Sequence, residues 1–294
     1  MKTAERGAPP QKAASKSLQE HLPDLRPGQS IELLKELHIL TREGKLNQDT
    51  RRKLKQVYHL VHFIEPLLEE VLKERGDVTL ADHGAGKSYL GFILYDLFFK
   101  ALTMGSVYGI ESRAELVDSS RALAQRLGFS RMAFLATTVQ QALNHVDLTQ
   151  HIDVVTALHA CDTTTDDAIR FGLAKNARFM VLVPCCQAEV AGVLRQNKAF
   201  SLARTPLAEL WRHPLHTREF GSQITNVLRC LQLEARGYSV TVTELVGWEH
   251  SMKNELILAR RGGNSQALQE RAAVRLEQIL EDLGLKSLRD RFLD

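Results

Sequence analysis

Two apolar runs near the end of the chain, YSVTVTELV (238–246) and ELILARR (255–261), are separated only by GWEHSMKN. Both have the β-branched and aliphatic character of strands. So short a link has no room for a crossover helix, so the two must pair antiparallel. From Val78 onward the upstream chain follows another rule. Short apolar runs at 78–83, SVYGIE (106–111), MAFLA (132–136), IDVVTAL (152–158) and FMVLV (179–183) alternate with helix-like segments. That alternation predicts parallel strands covered on both faces. Five parallel strands closed by an antiparallel hairpin give a seven-stranded Rossmann-like α/β sheet, which is not the plan of a nicotinamide-binding domain.

At 294 residues the chain holds one large α/β domain with attachments. Residues 1–28 are polar and rich in Ala, Lys, Gln and Pro, as a disordered tail is. Residues 29–75 read as a helical extension, 76–262 as the sheet domain and 263–294 as a C-terminal helix. In the extension, Asp49 is an apt N-cap for a helix that places Leu54, Val57, Tyr58, Val61 and Ile64 on one face. Pro66 should kink that helix or restart it. The opposite face carries Arg51, Arg52, Lys53 and Lys55, which suits either a solvated surface or an acidic partner such as RNA. Further on, Ser112 with Glu115 predicts a capping box and Gly128 a helix end. A long helix from about Thr217 to Arg236 should be closed by Gly237, and a last helix at about 265–283 should end the chain.

Apolar content of 44% and charged content of 25% are those of an ordinary globular protein. The opening MKTAERGAPPQKAASKS lacks the apolar core of a signal peptide, and no apolar run approaches the ~18 residues of a membrane span. Cys161, Cys185, Cys186 and Cys230 form no CxxC pair, so reduced thiols and a cytoplasmic location are expected. The net charge of +3 tolerates a nucleic-acid partner without requiring one.

The stretch VTLADHGAGKSYLG raises the question of a phosphate loop. GxxxxGK[ST] would need a glycine where Ala81 stands, and Asp82 would sit beside phosphate charge. The alternative is Asp82 at a strand end, followed by His83 and the glycine pair Gly84 and Gly86. Glycines let backbone approach a ligand closely, and the helix N-terminus behind them favours a carboxylate. Glu111, at the end of the next strand, is placed to accept hydrogen bonds from a ribose diol. Together with the terminal hairpin these features fit S-adenosylmethionine, which carries a ribose, an adenine and a charged amino-acid end but no phosphate.

HACDTTTDDAIRFG (159–172) after the fourth strand and VPCCQ (183–187) after the fifth carry a more distinctive resemblance. The chain resembles a family of class I S-adenosylmethionine-dependent methyltransferases that pairs an HACD-type segment with a PCC segment. That domain also occurs in a glutathione S-transferase C-terminal-domain protein. The resemblance covers roughly residues 50–261, and DHGAGKSYLG is similar to the family's cofactor loop. It implies the class I methyltransferase sheet, with Asp82, Gly84, Gly86 and Glu111 holding the cofactor and His159 to Asp162, Ala160 included, bordering cofactor and substrate. Relatives tend to have His after PCC, where this chain has Gln187. The acidic residue that often meets the adenine amino group is replaced by Ala136-Thr137-Thr138, so Thr137 or a backbone group would substitute. Lys87 is a candidate for the cofactor carboxylate, Ser112 flanks the ribose acid, and His83 either joins the site or fills space.

Several chemistries stay open at this point. In direct in-line transfer the acceptor supplies the nucleophile, and Asp162 or His159 takes the proton. In covalent catalysis Cys185 or Cys186 would attack a pyrimidine ring first. His159, Cys161, Cys185 and Cys186 have the chemistry of zinc ligands but not the usual spacing. The cysteines also suit plain packing. Pro184, Trp211, Arg212, Trp248 and Asn254 are the candidates for acceptor contact, since aromatic and Arg side chains stack on bases. RNA is the expected acceptor, with a protein or small molecule as the alternative. From another class altogether, the chain would be a binding module for S-adenosylmethionine or RNA without turnover.

Overall fold

The structure, a computed structural model, describes residues 25–158, 162–184, 187–197, 204–245 and 255–293. Its centre is a seven-stranded sheet of β1 (Thr79–His83), β2 (Ser106–Glu111), β3 (Met132–Ala136), β4 (Val154–Leu158), β5 (Phe179–Val183), β6 (Tyr238–Glu244) and β7 (Glu255–Arg261), in the order β3-β2-β1-β4-β5-β7-β6. The first five strands pair parallel and β7 joins antiparallel to both β5 and β6, as the short link demands. The order reverses at β1, whose neighbours are β2 and β4, and this is where an open α/β sheet leaves a crevice at its carboxyl edge.

Side chains alternate cleanly between the two faces. Leu80, Val107, Val154, Phe179 and Val181 enter one core with helices α2 (Gln48–Arg75), α3 (Tyr89–Leu97) and α4 (Ala114–Arg126). Ala81, Tyr108, Val155, Met180 and Ile257 enter the other with α5 (Val139–Ala142), α6 (Thr163–Ala174) and α8 (Pro214–Ala235). A third cluster joins α7 (Glu189–Asn197) and α8 to α9 (Gln266–Asp282) and α10 (Arg289–Leu293). The short helix α1 (Ile31–Glu36) buries Leu33 and Leu34 in the same core as α2, so the extension and the sheet share one interior.

Four local expectations are corrected. The N-cap of α2 is Asn47, whose side chain accepts the Thr50 N–H at 2.8 Å while Thr50 Oγ1 accepts the Asn47 N–H, a complete capping box two residues earlier than Asp49 would set. Pro66 lies inside an uninterrupted α2. Leu60, Val61 and Ile64 before it and Leu68 and Val71 after it are all buried in one core, and that packing carries the helix through the lost hydrogen bond. Ser112 does not cap α4, because its hydroxyl turns to the Glu111 carboxylate at 3.4 Å and Arg113 takes the N-cap position without a side-chain bond. The chain does not end with α9: a further turn and α10 bury Phe292. The helix ends at Gly128 and Gly237 are as expected, both glycines being left-handed (φ 69° and 86°).

Candidate functional site

β1 delivers its last residues to the carboxyl edge of the sheet, where the glycine loop turns into α3. Gly84 and Gly86 have φ of 61° and 57°, a conformation open to glycine at no steric cost. Beneath the loop, Asp82 is buried on the α2 side of the sheet and accepts the Thr156 hydroxyl at 2.7 Å. Burial pushes its carboxyl up to about 7, against the pull of that hydrogen bond. His83 faces the opposite core, wholly buried, with its ring 4.3 Å from that of Phe171. Neither ring nitrogen has a hydrogen-bond partner among the described residues, and burial brings the imidazole down to about 3, so it is neutral. Lys87 is exposed at the solvent side of the loop.

Glu111 ends β2 beside this loop. Its Oε2 accepts the Gly86 N–H at 2.8 Å and Arg113 Nη2 at 3.1 Å; its Oε1 accepts the Arg113 N–H at 3.1 Å and Arg113 Nε at 2.9 Å. Burial alone would raise this carboxyl, but the bonds from Arg113 and Gly86 outweigh it and hold it down at about 2. Glu111 is therefore a fixed negative charge that pins the glycine loop to the next strand. It lines a cleft of about 360 Å³ together with Gly84, Ser112, Arg113, Thr137 and Thr138, closed on the far side by Thr164 and Asp167 of α6. The volume is within the usual range for a small-molecule site. An ionised acceptor for a diol, a loop with no side chains at its two glycines, and hydroxyls on the third side are the donor set that a nucleoside with a charged amino-acid tail requires. The residues present fit S-adenosylmethionine.

The ends of β4 and β5 are brought together, as Leu158 pairs with Val183 in register. Their expected residues His159, Ala160, Cys161, Cys185 and Cys186 lie outside the described residues, as do Trp248 and Asn254. The flanks are well defined. Asp162 Oδ1 accepts the N–H groups of Ala188 and Glu189 at 3.1 and 3.3 Å, so the last residue of the HACD segment caps the helix that follows PCC. Gln187 donates to Asn226 at 2.9 Å and accepts from Ser222, both on α8. Pro184 is buried at the end of β5. Trp211 packs edge-on against Phe220 at 5.4 Å, on the third core cluster, and Arg212 is exposed and paired with Glu209. Neither is among the residues that line the cleft. Cys230 is half-buried on α8, and burial first and then Glu255 and Glu234 push its thiol up to about 12, which suits packing.

Sequence reasoning missed two parts of the site. Arg113 is one, although it stands only two residues after Glu111. The other is Arg229, fully buried, which donates to both carboxylate oxygens of Asp166 at 2.7 and 2.9 Å, to the Asp162 carbonyl at 2.8 Å and to Asn226 at 3.1 Å. Asn226 in turn donates to Glu255 at 2.7 Å. An arginine inside the apolar stripe NVLRCLQL was the available signal.

Comparison with known proteins gives the following. A family model described as a methyltransferase domain matches residues 52–193. Solved structures of similar shape include an rRNA methylase from Streptococcus thermophilus (10% identity, 69% of this chain and 96% of that one, TM-score 0.43). A Podospora anserina methyltransferase bound to S-adenosylhomocysteine is similar at 10% identity (88% and 100%, TM-score 0.44), and a magnesium protoporphyrin IX methyltransferase from Synechocystis at 14% (79% and 94%, TM-score 0.43). A search of curated protein sequences returned no match. The matched segment spans β1 to β5 and the cleft-forming loops, so residues 52–193 form a methyltransferase domain, and its cleft has the donor set for S-adenosylmethionine.

Proposed function

We propose that the protein methylates RNA by direct in-line transfer from S-adenosylmethionine seated in the cleft between the glycine loop, Glu111 and Thr137. The carrying observation for the cofactor's seat is the ionised, buried Glu111 lining a cleft of about 360 Å³ at the carboxyl edge of β1 and β2. Glu111 accepts the ribose hydroxyls, Gly84 and Gly86 let the amino-acid end approach the backbone, and Ser112 and Thr137 border the nucleoside. Lys87 offers its charge to the carboxylate from the solvent side, while Asp82 and His83 support the loop from below. When bound, the cofactor supplies a methyl group on a sulfonium whose C–S bond breaks as the acceptor's lone pair bonds the methyl carbon. The chain's part is alignment and water exclusion. Asp162 serves as a positioning residue, since its Oδ1 already holds the β5 loop.

RNA as acceptor is supported by the net charge of +3 and by the exposed run Arg51, Arg52, Lys53 and Lys55 beside the cofactor loop. The test uses cofactor labelled on its methyl group, incubated with the protein and extract of cells lacking it. Label in nuclease-sensitive material is the expected result. Label confined to protein or small molecules would overturn the acceptor.

A further inference from the structure

α2 is joined to β1 only by residues 76–78, so it runs antiparallel to that strand. Its 28 residues span about 42 Å, against about 17 Å for β1. Its last residue, Arg75, bonds Asp153 at the amino end of β4, and its first half lies towards the carboxyl edge, where the cleft opens. Lys53 marks the level: its Nζ is 3.4 Å from the ring centre of Tyr89, the residue that begins α3 straight after the glycine loop. Beside this half of α2, the loop after α1 forms a groove of about 540 Å³ whose charged and imidazole lining is Lys35, Glu36, His38 and Arg42, with Leu40, Thr41, Asn47 and Thr50 completing it.

The charges along α2 are segregated. Its first turn holds Asp49 and its last Lys73 and Arg75, as the helix dipole favours. Between them, Arg51, Arg52, Lys53 and Lys55 crowd the first two turns and Glu65, Glu69, Glu70 and Glu74 the second half. Three of those acids are used internally: Glu65 pairs with Arg26, Glu70 with Arg178 and Arg260, and Glu74 with Arg178. At the other end Lys35, Arg42, Lys45 and Arg52 enter no ion pair among the described residues. Of the acids here, Glu36 lines the groove and is held by Arg126 at 2.8 Å, Glu43 is exposed close to Lys45 and Lys35, and Asp49 is exposed in the first turn of α2. None of the exposed large apolar side chains of the described residues lies on the extension, so nothing there would anchor a peptide or enter a lipid surface.

From this we infer that the N-terminal extension is the RNA-docking surface of the enzyme. The groove of Lys35, His38 and Arg42, continued by Arg52 along α2, holds the phosphates of a single strand and leads it towards the cleft. The inference rests on the proposed RNA acceptor. It gives this surface the sequence-independent share of binding, because phosphate contacts position a strand without reading bases.

The full-length protein and a triple variant, Lys35→Glu/Arg42→Glu/Arg52→Glu, would be titrated with a short fluorescent single-stranded RNA of mixed sequence between about 50 and 200 mM salt. All three side chains lie at the surface, and S-adenosylmethionine affinity, measured alongside, should be unchanged and reports the fold. The variant should bind RNA at least ~10-fold more weakly, and the slope of log K against log salt should fall by about 2, from ~0.7 per lost phosphate contact. Equal RNA binding by the two proteins would overturn the docking surface and leave the acceptor standing. No RNA binding by the native protein, with label transferred to protein or small molecules instead, would remove the acceptor and the surface together.

Discussion

Asp82 and Glu111 end neighbouring strands, yet they are held in opposite electrical states: burial lifts one to about 7 and hydrogen bonds hold the other at about 2. The difference has a consequence for stability. Asp82 binds its proton more tightly folded than unfolded, where a carboxyl titrates near 3.9. Between about pH 4 and 7 the folded state therefore carries the extra proton, and the contribution of Asp82 to stability falls as pH rises through that window. Asp82→Asn keeps an oxygen for the Thr156 hydroxyl and removes the titration. Its melting temperature should exceed that of the native protein at pH 8, with the gap closing towards pH 4; a gap independent of pH would refute the assignment. Glu111 has the reverse sign, its contribution being present above about pH 4 and lost towards 2. At the same carboxylate, Arg113 occupies acceptor positions that a ribose would use. Its side chain is 59% exposed, and pairs of that kind contribute at most about 1 kcal/mol. Arg113→Ala should leave cofactor affinity equal or up to ~5-fold tighter by calorimetry. A tenfold loss would show that Arg113 itself holds the cofactor.

At the scale of elements, α8 holds the described flanks of the segments that follow β4 and β5. Arg229 grips Asp162 and Asp166 at the start of α6, while Asn226 and Ser222 hold Gln187 after β5. Arg229→Met would leave Asp166 buried and unpaired, at a cost of about 3–5 kcal/mol. The double change Asp166→Leu/Arg229→Met restores an apolar fit but not the bond to the Asp162 carbonyl. We expect the double variant to recover most of the melting temperature while methyl transfer stays at least tenfold slow and cofactor affinity is unchanged; recovery of the rate would make the pair purely structural. Elements of this kind divide what the sequence showed from what it hid. The strands, the hairpin, the glycine loop and Glu111 were legible because each follows from a local period, a link length or a strand-end position. Arg229 and Asp166 lie 63 residues apart, and no local pattern joins them. The restart at Pro66 and the cap at Ser112 were misread for a related reason, since tertiary packing and the Glu111 carboxylate overrode rules that hold for isolated helices.

At the scale of the whole molecule, the helical extension and the sheet behave as one body. Leu54, Leu60, Ile64 and Leu68 are buried in the same cluster as Leu80, Val107 and Val154, and Glu70 reaches both Arg178 and Arg260 across the strands. Leu60→Ala should therefore cost about 2–5 kcal/mol and lower a single cooperative transition seen alike by helical signal and by cofactor release. Two separate transitions would mean that the extension melts alone. Because α2 runs on through Pro66, one helix is both a wall of the core and a face to solvent, and what divides its residues is the face they lie on. Leu54, Leu68 and Val71 decide whether the molecule folds, while Arg51, Arg52 and Lys55 on the exposed face carry charge that the interior does not need. If that face meets the acceptor as proposed, its clientele can be altered over a few turns of a single helix with the rest of the molecule left as it is.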